Sequence, residues 1–178
     1  MELETERLVL RPWREDDAES LYKYAKDPEV GRAAGWKPHG SVEESRDIIK
    51  NVLSVPETYA VVLKSTGEPV GAAGIMLCEN NIPLKDGEAE LGYWLGVPFW
   101  GRGIIPEAVK ALLRRCFEEL CCDTVWCVSY EGNRNSERVQ EKCGFRYHNT
   151  ELGKPTPLGE IKNDRVSRIT REEWERKR

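Results

Sequence analysis

Trp100-Gly101-Arg102-Gly103-Ile104-Ile105-Pro106-Glu107 is the segment whose residue types could most directly hold a charged ligand. Glycines let a backbone turn tightly and come close to a ligand, and the periodic apolar run beyond them predicts a helix whose first N–H groups and positive dipole end face that turn. This combination suits a pyrophosphate. A nucleoside triphosphatase loop would need G-x-x-x-x-G-K-[ST], which the chain lacks, and the dinucleotide pattern G-x-G-x-x-G is met only by Gly101-Arg102-Gly103. Taken alone, G-x-G ahead of a helix is equally a tight turn with good helix capping.

Other reactive side chains give less. His39 and His148 sit in loop-like segments, where a histidine is more often solvated than catalytic. The six cysteines, Cys78, Cys116, Cys121, Cys122, Cys127 and Cys143, form no C-x-x-C pair and no Cys/His ligand spacing, so no metal site is expected. They read as small buried hydrophobes in a reducing compartment.

The elements that must carry the glycine loop can be placed from periodicity. Leu8–Leu10 predicts a strand stopped at Pro12, and Asp16-Asp17 opens a helix through Leu21, Tyr22 and Ala25. Gly31 to Gly40 reads as a glycine- and proline-rich loop carrying Trp36, which is either a plug over the core or an acceptor contact. Ser41-Val42-Glu43-Glu44 has capping-box spacing ahead of a second helix through Leu53. Residues 59–63 and 70–77 form a hairpin. Glu88 to Leu95 alternates with period two, placing Ala89, Leu91, Tyr93 and Leu95 on one face and Glu88, Glu90, Gly92 and Trp94 on the other.

The most regular helix follows Pro106, with Ala108, Val109, Leu112, Leu113, Cys116, Phe117 and Leu120 on one stripe. Thr124–Ser129 is then a buried strand, and a short helix from about Ser136 ends at Gly144. Arg165–Ile169 predicts a last strand before the capping box Thr170-x-x-Glu173. Strands followed by helices in this order give an α/β or α+β domain.

Bulk properties set the outer limits. The chain has 178 residues, 39% hydrophobic and 33% charged, the length of one domain, so residues 1–178 are expected to fold as one. No apolar run approaches the ~20 residues needed to cross a bilayer, and the acidic start MELETERLVL is unlike a signal peptide. A cytoplasmic location and no membrane partner are the expectations. The net charge of -4, with no basic block, argues against nucleic acid and suits a cationic acceptor such as an amine.

Context around the loop makes it more specific. Gly92-Tyr93-Trp94-Leu95-Gly96-Val97 precedes it, and Asn133-x-x-Ser136 and Glu141-Lys142-Cys143-Gly144-Phe145 follow one helix and one strand later. This resembles the GNAT acetyltransferases, whose loop pattern Q/R-x-x-G-x-G/A is met with Trp100 in the first place, Gly103 in the fourth and Ile105 in the last. Trp in the first place, Y-W-L, N-x-x-S and E-K-x-G-F resemble the RimJ/RimL branch, and the likeness runs from Thr5–Arg11 to Thr170–Trp174. Ile105 departs from the pattern's small residue, and Pro106 removes an N–H.

The resemblance implies a mixed, mainly antiparallel central sheet flanked by helices and splayed at the cofactor site. It implies acetyl-coenzyme A as co-substrate, an amine acceptor and direct attack of that amine on the thioester. Leu95 and Val97 would pair with the pantetheine arm, and Gly101, Arg102, Gly103, Ile104 and Ile105 would hold the pyrophosphate. Asn133 would bond the pantetheine amide. Ser136 stands where the branch places a group near the sulfur, as general acid or merely as a helix N-cap; four residues on, where most of the superfamily has a tyrosine, stands Gln140, which cannot act as an acid. Glu90 would accept the amine proton through a water or be a solvated surface carboxylate, with Glu88, Glu151 and Glu160 as alternative bases. Trp36 and Trp94 are the candidate acceptor contacts. The acceptor is a protein N-terminal amine or a polyamine, aminoglycoside or amino acid; a homodimer and a catalytically silent module that binds coenzyme A both stay open.

Overall fold

The computed structural model describes residues 1–78 and 81–176. Among these residues, eight strands follow the order β1-β2-β3-β4-β5-β6-β8-β7 in one sheet, with six α-helices. The chain divides into two compact units, one of residues 1–74 and 93–108, the other of residues 75–92 and 109–178.

In the first unit, β1 (Leu3–Glu4), β2 (Leu8–Arg11), β3 (Thr58–Leu63) and β4 (Pro69–Met76) pair antiparallel in succession. β3 reads as an apolar run rather than an alternation because Tyr59, Ala60, Val61 and Val62 are all buried, as expected of a strand covered on both faces. α1 (Ala18–Ala25) supplies Ala18, Leu21 and Ala25, and Ile49, just after α3 (Val42–Ile48), joins them in a core with Trp13, Ala60, Val62 and Ala72, against which Val42 of α3 packs. Arg11 and Asp17 close this region with a buried bidentate pair, 2.7 and 2.8 Å long.

Three details differ from the sequence reading. Gly31 to Ala34 are not loop: they belong to α2 (Pro28–Ala34), capped by the Asp27 side chain on the Glu29 N–H at 2.9 Å, with proline in the first turn. Ser41 does cap α3 through the Glu44 N–H, but the Glu44 carboxylate bonds Gly40 N–H at 2.5 Å instead of closing a capping box on Ser41. His39 is in irregular chain, as expected, yet buried rather than solvated, its Nδ1 2.8 Å from Ser45 Oγ.

In the second unit, the first half of β5 (Glu88–Leu95) pairs parallel with β6 (Thr124–Tyr130), and β8 (Ile161–Thr170) pairs antiparallel with both β6 and β7 (Arg146–Pro155). The parallel register runs from Glu88 opposite Thr124 to Leu91 opposite Cys127. β7 is a strand that the sequence pattern does not announce, and His148 lies exposed on it, its ring 5.1 Å from that of Trp126. The part of α4 (Ile104–Arg114) that belongs to this unit, from Val109, continues as a π-helical turn through Glu119, burying Val109, Leu112, Leu113, Cys116 and Phe117. Arg171, which opens α6 (Arg171–Glu175), caps that end by donating to the carbonyls of Phe117 and Cys122 at 2.6 and 2.7 Å. Cys116, Cys122, Cys127 and Cys143 are buried as expected, whereas Cys78 and Cys121 are exposed; none of the six is in a disulfide.

Candidate active site

In the first unit, β5 ends at Leu95 and a short 3₁₀ turn, Val97–Phe99, leads into the glycine loop. Gly101 and Gly103 both have φ of 75°, the left-handed region that glycine enters without penalty. α4 therefore starts at Ile104, two residues before Pro106. Its bonding begins with the Glu107 N–H on the Gly103 carbonyl at 3.2 Å, and Pro106 has no N–H, so the first-turn amides with no intrahelical acceptor are those of Ile104 and Ile105. The Ile105 side chain is buried, so what it offers a ligand is backbone, and its bulk is no obstacle there.

Two side chains hold this loop. Trp100 Nε1 donates to the Leu95 carbonyl at 2.7 Å, tying the loop to the end of β5. Arg7 Nη1 donates to the Arg102 carbonyl at 3.0 Å, while its Nε and its backbone N–H both donate to Glu107, at 2.7 and 2.8 Å. Burial alone would raise the Glu107 pKa, but Thr5 and Arg7 outweigh it and hold the carboxyl below its ordinary range. The Arg102 guanidinium lies 5.6 Å from the Phe99 ring centre.

Trp36 and Trp94 meet edge to face, ring centres 5.8 Å apart, and both are half-buried against the core of the first unit. They form the rim of that core and leave part of each ring exposed.

In the second unit, Glu90 is only 1% exposed, which overturns the solvated-surface alternative. The Asn81 backbone N–H donates to Oε2 at 3.1 Å and the Asn81 side-chain amide donates to Oε1. The other carboxylates considered are engaged elsewhere: Glu88 accepts from the Lys85 N–H, and Glu151 and Glu160 pair with Lys154 and Lys162.

α5 (Arg134–Cys143) begins two residues earlier than the sequence suggests, and its N-cap is Asn133, whose side chain accepts from the Ser136 N–H at 3.2 Å. Ser136 is therefore not the N-cap, and its hydroxyl is spared that duty. Asn133 uses its oxygen for the cap, so a ligand amide carbonyl would meet its NH₂ end. Gln140 Nε2 donates to Ser136 Oγ and to Cys127 Sγ, both at 3.4 Å, while its Oε1 accepts from Arg165 Nη1 at 3.0 Å.

Arg7, Asn81 and Arg165 donate hydrogen bonds to Arg102, Glu90 and Gln140 that the sequence pattern does not announce. Arg7 and Arg165 reach across long sequence separations, and Asn81 sits in a loop without periodicity. Among the described residues no group of three or more His, Cys, Asp or Glu could hold a metal, and no helix is long and apolar enough to cross a membrane.

Comparison with known proteins identifies this assembly of parts. The family model described as the acetyltransferase (GNAT) domain matches residues 7–146. An uncharacterized N-acetyltransferase of Bacillus licheniformis is 37% identical over 123 residues, 66% of this chain and 67% of that one. The FsC-acetyl coenzyme A-N(2)-transacetylase of Aspergillus fumigatus is 30% identical over 97% of this chain and 77% of its own length. A GNAT-family acetyltransferase from Bacillus anthracis shares the fold, with a TM-score of 0.84 at 21% identity over 97% of this chain and 99% of that one. The chain belongs to the GNAT acetyltransferases and is an N-acetyltransferase, an enzyme of acetyl transfer to amines.

Proposed function

We propose that the chain moves the acetyl group of acetyl-coenzyme A to a primary amine by direct attack, as a RimJ/RimL-like enzyme whose acceptor is a protein N-terminal amine. The observation that carries the cofactor half of this reading is the pair of left-handed glycines, Gly101 and Gly103, set immediately before the two first-turn amides of α4. A pyrophosphate fits such a turn because N–H groups and the helix dipole converge on it and no side chain intervenes. Gly101, Arg102, Gly103, Ile104 and Ile105 hold it, the Arg102 guanidinium adding positive charge. Leu95 and Val97 pair with the pantetheine arm, the Leu95 carbonyl sharing its lone pairs with Trp100, and Asn133 donates to a pantetheine amide.

Glu90 accepts the proton shed by the attacking amine, through a water, and Ser136 donates to the departing thiolate. A buried carboxylate fixed by two donors on one residue suits this task, since it is oriented before substrate arrives. Trp36 and Trp94 line the acceptor side with their exposed ring edges. Six cysteines without a disulfide among them fit work in the reducing cytoplasm. The two units, each made of two separated stretches of chain, work together as one domain over residues 1–178.

A thiol-release assay with acetyl-coenzyme A against short peptides with free N-termini and a panel of small amines tests the reading, alongside binding of coenzyme A alone. Turnover on peptides is the expected result; binding without turnover on any amine would leave a coenzyme A-binding module. A small-molecule acceptor is the second reading, favoured by the A. fumigatus relative, whose name places its acetyl group on an N(2) of FsC. Turnover on small amines with none on peptides would select it.

A further inference from the structure

Ser136, Gln140 and Arg165 form a chain of polar contacts whose direction is fixed by chemistry at one end. Arginine has only donors, so the Gln140 atom 3.0 Å from Arg165 Nη1 must be the carboxamide oxygen. That assignment turns the Gln140 NH₂ toward Ser136 Oγ and Cys127 Sγ, each 3.4 Å away, one hydrogen for each. Gln140 is 1% exposed and both ends of its amide are engaged, so the orientation is fixed. Arg165 is itself held, by donation to Ser167 Oγ at 2.7 Å and by the Tyr147 ring 5.2 Å away.

A serine hydroxyl that accepts from a fixed amide hydrogen is biased toward spending its own hydrogen elsewhere. We propose that Arg165 and Gln140 are positioning residues that orient the Ser136 hydroxyl as a proton donor, the pair supplying from this chain's own residues the acidity that Gln140 alone cannot. The inference rests on the reading of Ser136 as general acid. As the amine nitrogen bonds the acetyl carbon and the C–S bond breaks, the Ser136 Oγ–H proton passes to sulfur, and water returns a proton to Oγ. The guanidinium charge polarises the Gln140 amide, and a polarised N–H on Oγ stabilises the partial negative charge that appears there during the transfer.

The test is a double-mutant cycle on kcat, with coenzyme A affinity measured beside it. Gln140→Glu keeps an acceptor for Arg165 but presents no donor to Ser136. It is expected to lower kcat at least tenfold with coenzyme A affinity within about twofold, and to have no further effect in a Ser136→Ala background. Arg165 is half-exposed, so Arg165→Met serves where Gln140→Glu does not fold; Arg165→Met lowers kcat and Arg165→Lys, which can still donate to Gln140, restores most of it. If Ser136→Ala lowers kcat but Gln140→Glu or Arg165→Met lowers it by the same factor with and without Ser136, the positioning role is overturned and the acid reading stands. If Ser136→Ala leaves kcat unchanged, both fall together.

Discussion

Arg7 and Glu107, a hundred residues apart in sequence, are joined by two hydrogen bonds of 2.7 and 2.8 Å, while the same arginine donates a third to the Arg102 carbonyl in the glycine loop. The start of α4 and the loop before it are thus braced from β2's approach by one side chain. An exposed ion pair is worth about 0–1 kcal/mol, but here three donors converge on a carboxylate whose side chain is 17% exposed. Glu107→Gln is expected to cost about 1–3 kcal/mol in urea unfolding at neutral pH. Because the folded carboxyl is held below its ordinary range, this stability is present above the unfolded pKa of ~4.3 and disappears as the pH falls through the lowered folded value. The difference between wild type and Glu107→Gln should therefore shrink in acid. Arg7→Ala should also weaken coenzyme A binding several-fold by calorimetry, since the Arg102 carbonyl loses its tether.

Gly101 and Gly103 answer to backbone torsion rather than to space. A Cβ on Gly103 would find only Arg7 Nη2, at 3.6 Å, and one on Gly101 would find nothing within 4 Å. Alanine at either place should cost about 1–2 kcal/mol, the penalty of a left-handed L-residue. Gly103→Val should abolish coenzyme A binding, seen as loss of the thermal shift that coenzyme A gives the wild type, because a branched residue resists this φ most strongly.

His39 predicts a second acid sensitivity at a different pH. Burial pushes the imidazole pKa down, against a smaller upward pull from Glu44. The unfolded chain, with an ordinary histidine pKa of ~6.5, takes up the proton first. Stability should decline as the pH falls below ~6.5 and level off once the lowered folded value is passed. In His39→Gln, melting temperature against pH should be flatter in that window, while the lower transition assigned to Glu107 is retained.

How much of this was legible depended on whether the cause was local. The period-two pattern placed Glu90 on the face of β5 opposite Leu91, and the glycine spacing located the turn before α4, because both are written in neighbouring residues. α2 was hidden by Gly31, which looks like a helix breaker; its true reason is close packing, since a Cβ there would lie 2.5 Å from the Trp36 carbonyl. The local signal for α2 is Asp27-Pro28, an N-cap residue followed by a first-turn proline. β7 escaped because most of its residues are exposed or half-exposed and do not alternate. The burial of Glu90 and the orientation of Gln140 were not readable at all, since Asn81 and Arg165 act through tertiary contact.

That tertiary contact makes Glu90 the sharpest remaining test of mechanism. Both Asn81 groups are donors, so in Glu90→Gln the new NH₂ faces one of them and a buried bond is lost; the expected cost is about 1–3 kcal/mol of stability. If Glu90 carries the amine proton away, kcat/KM for this variant should fall by about 10²–10⁴-fold at neutral pH, the usual worth of a positioned base. The deficit should narrow toward alkaline pH, where the amine is already deprotonated in solution and needs no base. Rates measured from pH 6 to 10, with the urea midpoint as a control for folding, separate this from a structural effect. A deficit equal at every pH would place Glu90 among the residues that shape the second unit and would move proton removal to solvent.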